Sequence, residues 1–157
     1  MPTAHYRALV AKADGFFARV HLRHAAAMEC DAGCSDCCQA GLTVTGVEAA
    51  AIRAHLAGLD DDAREALRTT RRGEGCAALD AEGRCRIYAA RPLVCRTHGV
   101  PVRVEGVVSA CPRNFRGGMP DGDAVLEQAT MSTLLAAVDA AHGPGERVAI
   151  AALLQER

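Results

Sequence analysis

All eight cysteines of this 157-residue chain lie between residues 30 and 111, outside the segments that read as terminal helices. Free cysteine behaves as a small hydrophobe, so a core-filling role would scatter thiols at helical spacing. Here they cluster in turn-forming sequence instead, as in Cys30-Asp-Ala-Gly-Cys34-Ser-Asp-Cys37-Cys38. That placement is the pattern of ligation. Cys34 and Cys37 form a C-x-x-C, a spacing that lets two thiolates converge on one metal. Cys38 follows at once. Adjacent residues point their side chains differently, so Cys37 and Cys38 need not share one tetrahedral ion. Two neighbouring metal centres, a multinuclear cluster, or one ligand beside a supporting thiol are all open.

The rest of the chain reads as mainly α. Its length fits one domain spanning residues 1–157. Such a chain can bury a core without disulfides or metals. Tyr6, Leu9, Val10, Ala13, Phe16, Phe17 and Val20 recur at spacings of three and four. They predict an amphipathic helix over 4–28, giving way to a loop at Cys30. Thr45-Gly-Val-Glu48 has the form of a capping box and predicts a helix over 46–57 ended by Gly58. Asp60, Asp61 and Asp62 favour a further helix start, with the helix running to Arg72 before Gly73. Cys76 to Cys85 brackets Asp80-Ala-Glu-Gly83 and predicts a hairpin or tight knuckle. A short helix is expected from Tyr88 to Cys95 with Pro92 in its first turn. Val102–Val104 and Val107–Ser109 flank Glu105-Gly106 and predict a β-hairpin. Helices over 123–141 and 146–155, within 123–155, complete the chain. The expected architecture is a small irregular β-hairpin and cysteine-rich metal-binding centre, residues 30–115, flanked by helices.

Cysteines recur beside arginines: Arg84 and Arg86 flank Cys85, Arg96 follows Cys95, and Arg113 stands two past Cys111. Four thiolates on a divalent metal or an oxidised iron–sulfur core leave net negative charge. Nearby guanidinium groups would offset it and donate to sulfur. The ordered run Cys34-x2-Cys37-Cys38, then Cys76-x2-Leu79-Asp80-x2-Gly83-x-Cys85-x-Ile87-Tyr88-x2-Arg91-Pro92-x2-Cys95-Arg96, then Cys111, resembles the YkgJ-type cysteine-cluster family. That family is associated with zinc or iron chelation, and flagellin lysine N-methylases, which carry an iron–sulfur cluster, are similar to it. The resemblance covers residues 30–115. It implies Cys30, Cys34, Cys37, Cys38, Cys76, Cys85, Cys95 and Cys111 as metal ligands, and Tyr88, Arg91 and Arg96 as supporting residues around the cofactor. Arginine has no lone pair to offer a metal. The family's usual first element is C-x-x-C-x-x-C-C. Here three residues separate Cys30 from Cys34, so Cys30 is the ligand that departs from the pattern.

The spacing Cys30-x3-Cys34-x2-Cys37 also matches radical S-adenosylmethionine enzymes, but those need a far larger barrel, of at least about 200 residues. No βαβ pattern surrounds Cys34-x2-Cys37, which argues against a thioredoxin-like role. His98 stands three residues past Cys95 and could complete a Cys3His site, whereas His21 and His24 read as structural or solvent-exposed. Soft thiolates select zinc, iron–sulfur or copper(I). Cys76, Cys85, Cys95 and Cys111 follow at wide, unequal spacings, which places an iron–sulfur cluster ahead of zinc and copper storage third.

A formal charge of −1 excludes a basic field for nucleic acid or anionic lipid, and three Phe, two Tyr and no Trp make no base-stacking platform. No stretch reaches the roughly 18 apolar residues of a membrane span. The first residues lack a secretory h-region, so the expected compartment is the cytoplasm, where thiols stay reduced. No Ser–His–Asp triad and no Gly-rich nucleotide loop is visible. Three functions follow: a metal-binding protein whose cluster supports a redox or lysine-methylation reaction with a protein partner, a non-enzymatic zinc module for protein binding, or a metal carrier or sensor.

Overall fold

The computed structural model of the chain describes residues 3–69, 74–120 and 122–156. Helix α1, Ala4–Arg23, opens with the Thr3 hydroxyl accepting the Tyr6 N–H at 3.1 Å. Its apolar stripe serves two cores. Tyr6, Leu9 and Ala13 pack with Val47 and Leu93, and Val20 packs with Val100, Phe115 and Leu126. The helix stops at His24, short of the expected Met28, and Ala25–Ala27 forms a 3-10 turn. Long-range partners take over the backbone there. The Phe115 N–H donates to the Ala27 carbonyl at 2.8 Å, and the Glu29 N–H donates to Asn114 Oδ1 at 2.8 Å.

Strand β1, Thr43–Val44, leads into α2, Gly46–Ala57, which ends at Gly58 as the sequence predicts. The capping box forms: Glu48 Oε2 accepts the Thr45 N–H at 3.0 Å. The other Glu48 oxygen accepts the Leu93 N–H at 2.9 Å. Asp139 adds a cap from another helix, accepting the Val47 N–H at 2.8 Å. Helix α3, Asp61–Thr69, carries its acids in the first turn. The expected continuation to Arg72 and the break at Gly73 lie outside the described residues.

The segment from Tyr88 to Cys95 is not one helix. Tyr88–Ala90 forms a 3-10 turn, and α4, Leu93–Thr97, starts afresh after Pro92. A residue before proline is driven out of the α region, and Arg91 sits at ψ 142°. The hairpin forms as predicted, with β2, Val102–Val104, antiparallel to β3, Val107–Ser109. Glu105 and Gly106 take φ of 49° and 83°, the signs a two-residue type I′ turn requires.

The C-terminal region departs furthest from the expectation. Residues 123–127 are not α-helical: Gly122–Ala124 is a 3-10 turn, and Leu126–Glu127 forms β4, parallel to β2. Pro101 draws this segment in, its carbonyl accepting the Leu126 N–H at 2.8 Å. Helix α5 then spans Gln128–His142. Instead of a helix from residue 146, Val148–Ala149 forms β5 against β1, and α6 covers only Ile150–Leu153. Leu42 offers its carbonyl to the Ile150 N–H at 3.0 Å, which fixes the change of direction. A third core forms around Val44, Ile52, Ile87, Ile150 and Leu153. The fold is mainly α with small β elements.

Glu48 is 3% exposed and serves the first turns of α2 and α4 at once. Glu48→Gln would turn an NH2 group toward one of these N–H donors. Losing a hydrogen bond to a charged group costs about 1.5–3 kcal/mol. At about 2–4 °C per kcal/mol for a chain of this size, thermal unfolding followed by circular dichroism should shift down by several degrees. An unchanged midpoint would show that the carboxylate does not join the two helices.

Candidate metal centre

Two successive tight turns shape the first cysteine loop. Asp31 accepts the Cys34 N–H through its carbonyl at 3.1 Å, and the Ser35 carbonyl accepts the Cys38 N–H at 2.9 Å. Gly33, at φ 86°, permits the first turn. The second loop meets the first directly, because the Cys76 N–H donates to the Cys38 carbonyl at 2.9 Å. The Cys76–Cys85 segment folds back as a knuckle, with a bridge between Leu79 and Cys85 and Gly83 at φ 79°. Asp80 holds the tip by accepting the Glu82 and Arg84 N–H groups. Helix α4 brings Cys95 to the same place.

These segments enclose a cavity of about 640 Å³. Six thiols line it: Cys34, Cys37, Cys38, Cys76, Cys85 and Cys95. His98 also lines it, and Leu42, Ile87, Val94 and Ile150 supply apolar wall. All eight cysteines are free thiols. Among the described residues, no three Cys, His, Asp or Glu side chains stand as a ready-made ligand set for a single ion. The donor set nevertheless suits a soft metal, since six thiols from three chain segments share one apolar-walled space.

The thiols perturb one another. The Cys37 thiol donates to Cys38, which holds Cys38 below the ordinary thiol range and raises Cys37. Burial raises Cys85, with Arg91 and Arg86 acting in the opposite sense. The Cys95 residue is exposed at the cavity rim, yet desolvation of its thiol, then Cys76 and Cys85, push it up to about 12.

Cys30 and Cys111 do not line this cavity. Asn114 Nδ2 donates to the Cys30 sulfur at 3.1 Å, and Arg113 Nη1 reaches the Cys34 sulfur at 3.9 Å. Tyr88 and Arg91 line the cavity, with the Arg91 guanidinium 3.8 Å from the centroid of the Tyr88 ring. Arg91 Nη1 donates to the Tyr88 carbonyl at 2.9 Å. Arg96 faces a separate depression of about 270 Å³ shared with Tyr6 and His55. Its guanidinium donates to the Arg91 and Ala89 carbonyls and, at 2.7 Å, to Asp14 Oδ2. Arg96 therefore braces the turn that presents Tyr88 and Arg91 and does not touch sulfur. His21 stacks on Phe17 and His24 meets Phe115 edge-on.

Sequence reasoning missed Asn114, Asp14 and Gly99. Asn114 is 2% exposed and Asp14 receives both Arg91 and Arg96, but each partner lies far away in sequence. Gly99 carried a faint signal as a glycine just after His98. It sits at φ +103°, and a Cβ there would stand 2.6 Å from the Cys30 sulfur.

The CxxCxxCC family model, described as a candidate zinc- or iron-chelating domain, matches residues 29–112, just over half the chain. No curated protein and no solved structure matches the chain. No helix of the described residues is long and apolar enough to cross a membrane.

Cys95 gives the site a pH signature. A thiol moved from the ordinary 9.0 to about 12 holds its proton more tightly when folded. In the metal-free chain this contribution is complete below 9.0 and lost as pH climbs through about 12. If Cys95 ligates metal it gives up this proton, so the loaded chain gains stability as pH rises to 9.0 and loses it as pH falls below that. Thermal melts of parent and Cys95→Ser, metal-free and loaded, should show these opposite signs. The same pH slope in both forms would remove Cys95 from the ligand set.

Proposed function

Since the chain belongs to the CxxCxxCC family, we propose that it binds metal through its cysteines as an iron–sulfur cluster that supports a redox or protein-modification reaction. The observation that carries this reading is the cavity of about 640 Å³ walled by six thiols. That space far exceeds the roughly 30 Å³ share of one water molecule and suits a multi-atom core. Four convergent thiolates are what such a cluster requires, and unequal cysteine spacings meet that need. A bound cluster supplies one-electron chemistry or an electrophilic iron. The chain's own residues give this space an apolar wall of Leu42, Ile87 and Ile150 and place cationic Arg91 on its lining with the thiols.

The reaction would be completed by a protein partner carrying the substrate. Likeness to YkgJ-type proteins and flagellin lysine methylases makes lysine methylation one such reaction. The C-x-x-C of Cys34 and Cys37 favours a second reading, a zinc module that organises a binding surface.

Anaerobically purified chain should be brown, with iron and sulfide in stoichiometric amounts. Colourless protein with stoichiometric zinc would replace the first reading by the second. Chelation should lower the melting temperature in either case, because metal binding joins loops that are distant in sequence. Arg91→Ala should weaken metal retention by about 10–100-fold while helical signal persists. Retention equal to the parent would show that Arg91 serves only the Tyr88 turn.

A further inference from the structure

The thiols fall into two groups that meet at Cys37 and Cys38, whose side chains touch. On one side, Cys38 is joined to Cys76 by a backbone hydrogen bond of 2.9 Å, and the Leu79–Cys85 bridge closes the knuckle between Cys76 and Cys85. Cys76 and Cys85 pack on the core of Ile52, Ile87 and Leu153. Cys95 lines the cavity with them.

On the other side, Cys30 packs on a different core, that of Val100 and Phe115. Its sulfur has a built seat. Asn114 donates to it at 3.1 Å and is locked by donating also to the Gly99 carbonyl at 2.8 Å and accepting the Glu29 N–H at 2.8 Å. Gly99 leaves open the space that a Cβ would take from the sulfur. Cys111 lies in the same turn as Asn114, whose N–H donates to the Cys111 carbonyl at 2.8 Å. Arg113, from that turn, reaches Cys34. Cys34 brings Cys37 with it through the C-x-x-C spacing. Cys34 and Cys37 border the cavity as well, so the two groups share a wall.

We propose that the chain holds two adjacent four-thiolate centres, Cys38, Cys76, Cys85 and Cys95 in one, and Cys30, Cys34, Cys37 and Cys111 in the other. Asn114 is a positioning residue of the second. A neutral amide N–H favours a thiolate sulfur without cancelling its charge, while Arg113 divides its own charge between Glu29, Asp36 and the Cys34 sulfur. This proposal rests on the metal-binding reading above and adds the number of centres and the ligands of each.

Cobalt(II) titration of the reduced, metal-free full chain tests it, because thiolate-to-cobalt absorption counts sulfur-bound metal whatever the native metal is. The parent should saturate at two equivalents. Cys76→Ser with Cys95→Ser should keep one, and Cys30→Ser with Cys111→Ser should keep the other. Asn114→Asp retains the acceptor for Glu29 but loses the donor to Cys30. It should weaken one equivalent by about 10–100-fold, the one absent from the Cys30/Cys111 variant. Saturation of the parent at one equivalent, or loss of all cobalt binding in both double variants with helical signal intact, overturns the division but leaves metal binding standing. Should a double variant fail to fold, Asn114→Asp decides: two equivalents of undiminished affinity overturn the assignment. A parent without thiolate-to-cobalt absorption overturns metal binding and this proposal together.

Discussion

One buried carboxylate holds the frame on which the cysteine loops are hung. Glu48 closes the first turn of α2 through Thr45 and the first turn of α4 through Leu93. Helix N-termini leave N–H groups without partners inside the helix, and a carboxylate also complements the local dipole. Two such ends converge on one side chain, so the direction of α4 is tied to that of α2. Cys95 rides on α4, and its placement at the cavity follows from an interaction made by a residue that does not line the cavity.

A second polar junction fixes the other border of α4. Asp14 on α1 receives Arg91 and Arg96, and Arg96 simultaneously takes the Ala89 and Arg91 carbonyls. Arg96 is 6% exposed, so its charge is matched by fixed acceptors and not by water. Asp14 is itself partly exposed, so the cost of breaking the junction falls on Arg96, left buried with carbonyl acceptors alone. Together these contacts clamp the short turn containing Tyr88, Arg91 and Pro92. The knuckle from Cys76 to Cys85 depends less on charge: it rests on the core of Ile52, Ile87 and Leu153.

The cysteines are therefore held in two different ways. Cys76, Cys85 and Cys95 are positioned by helices, a bridge and apolar packing. Cys34, Cys37 and Cys38 sit in a loop held mainly by its own turns and by the Cys38–Cys76 backbone bond. Metal binding would cross-link that loop to the wall it already borders, and the free energy of binding would then be folding free energy for the loop.

Much of this was legible locally. The stripe on α1, the capping box of α2, the stop at Gly58 and the Glu105-Gly106 turn each follow from spacing or backbone preference within a few residues. The clustering of all eight cysteines between residues 30 and 111 is likewise a property of the sequence alone. Tertiary contact decided the rest. Leu126–Glu127 is a strand because Pro101 and β2 offer it partners, and Val148–Ala149 is one because β1 does. Arg96 turned to Asp14 and backbone carbonyls, not sulfur, and Asn114 became the support of Cys30. Hydrogen-bond partners dozens of residues apart leave no periodic trace in the chain. Only the packed fold selects which donor finds which acceptor.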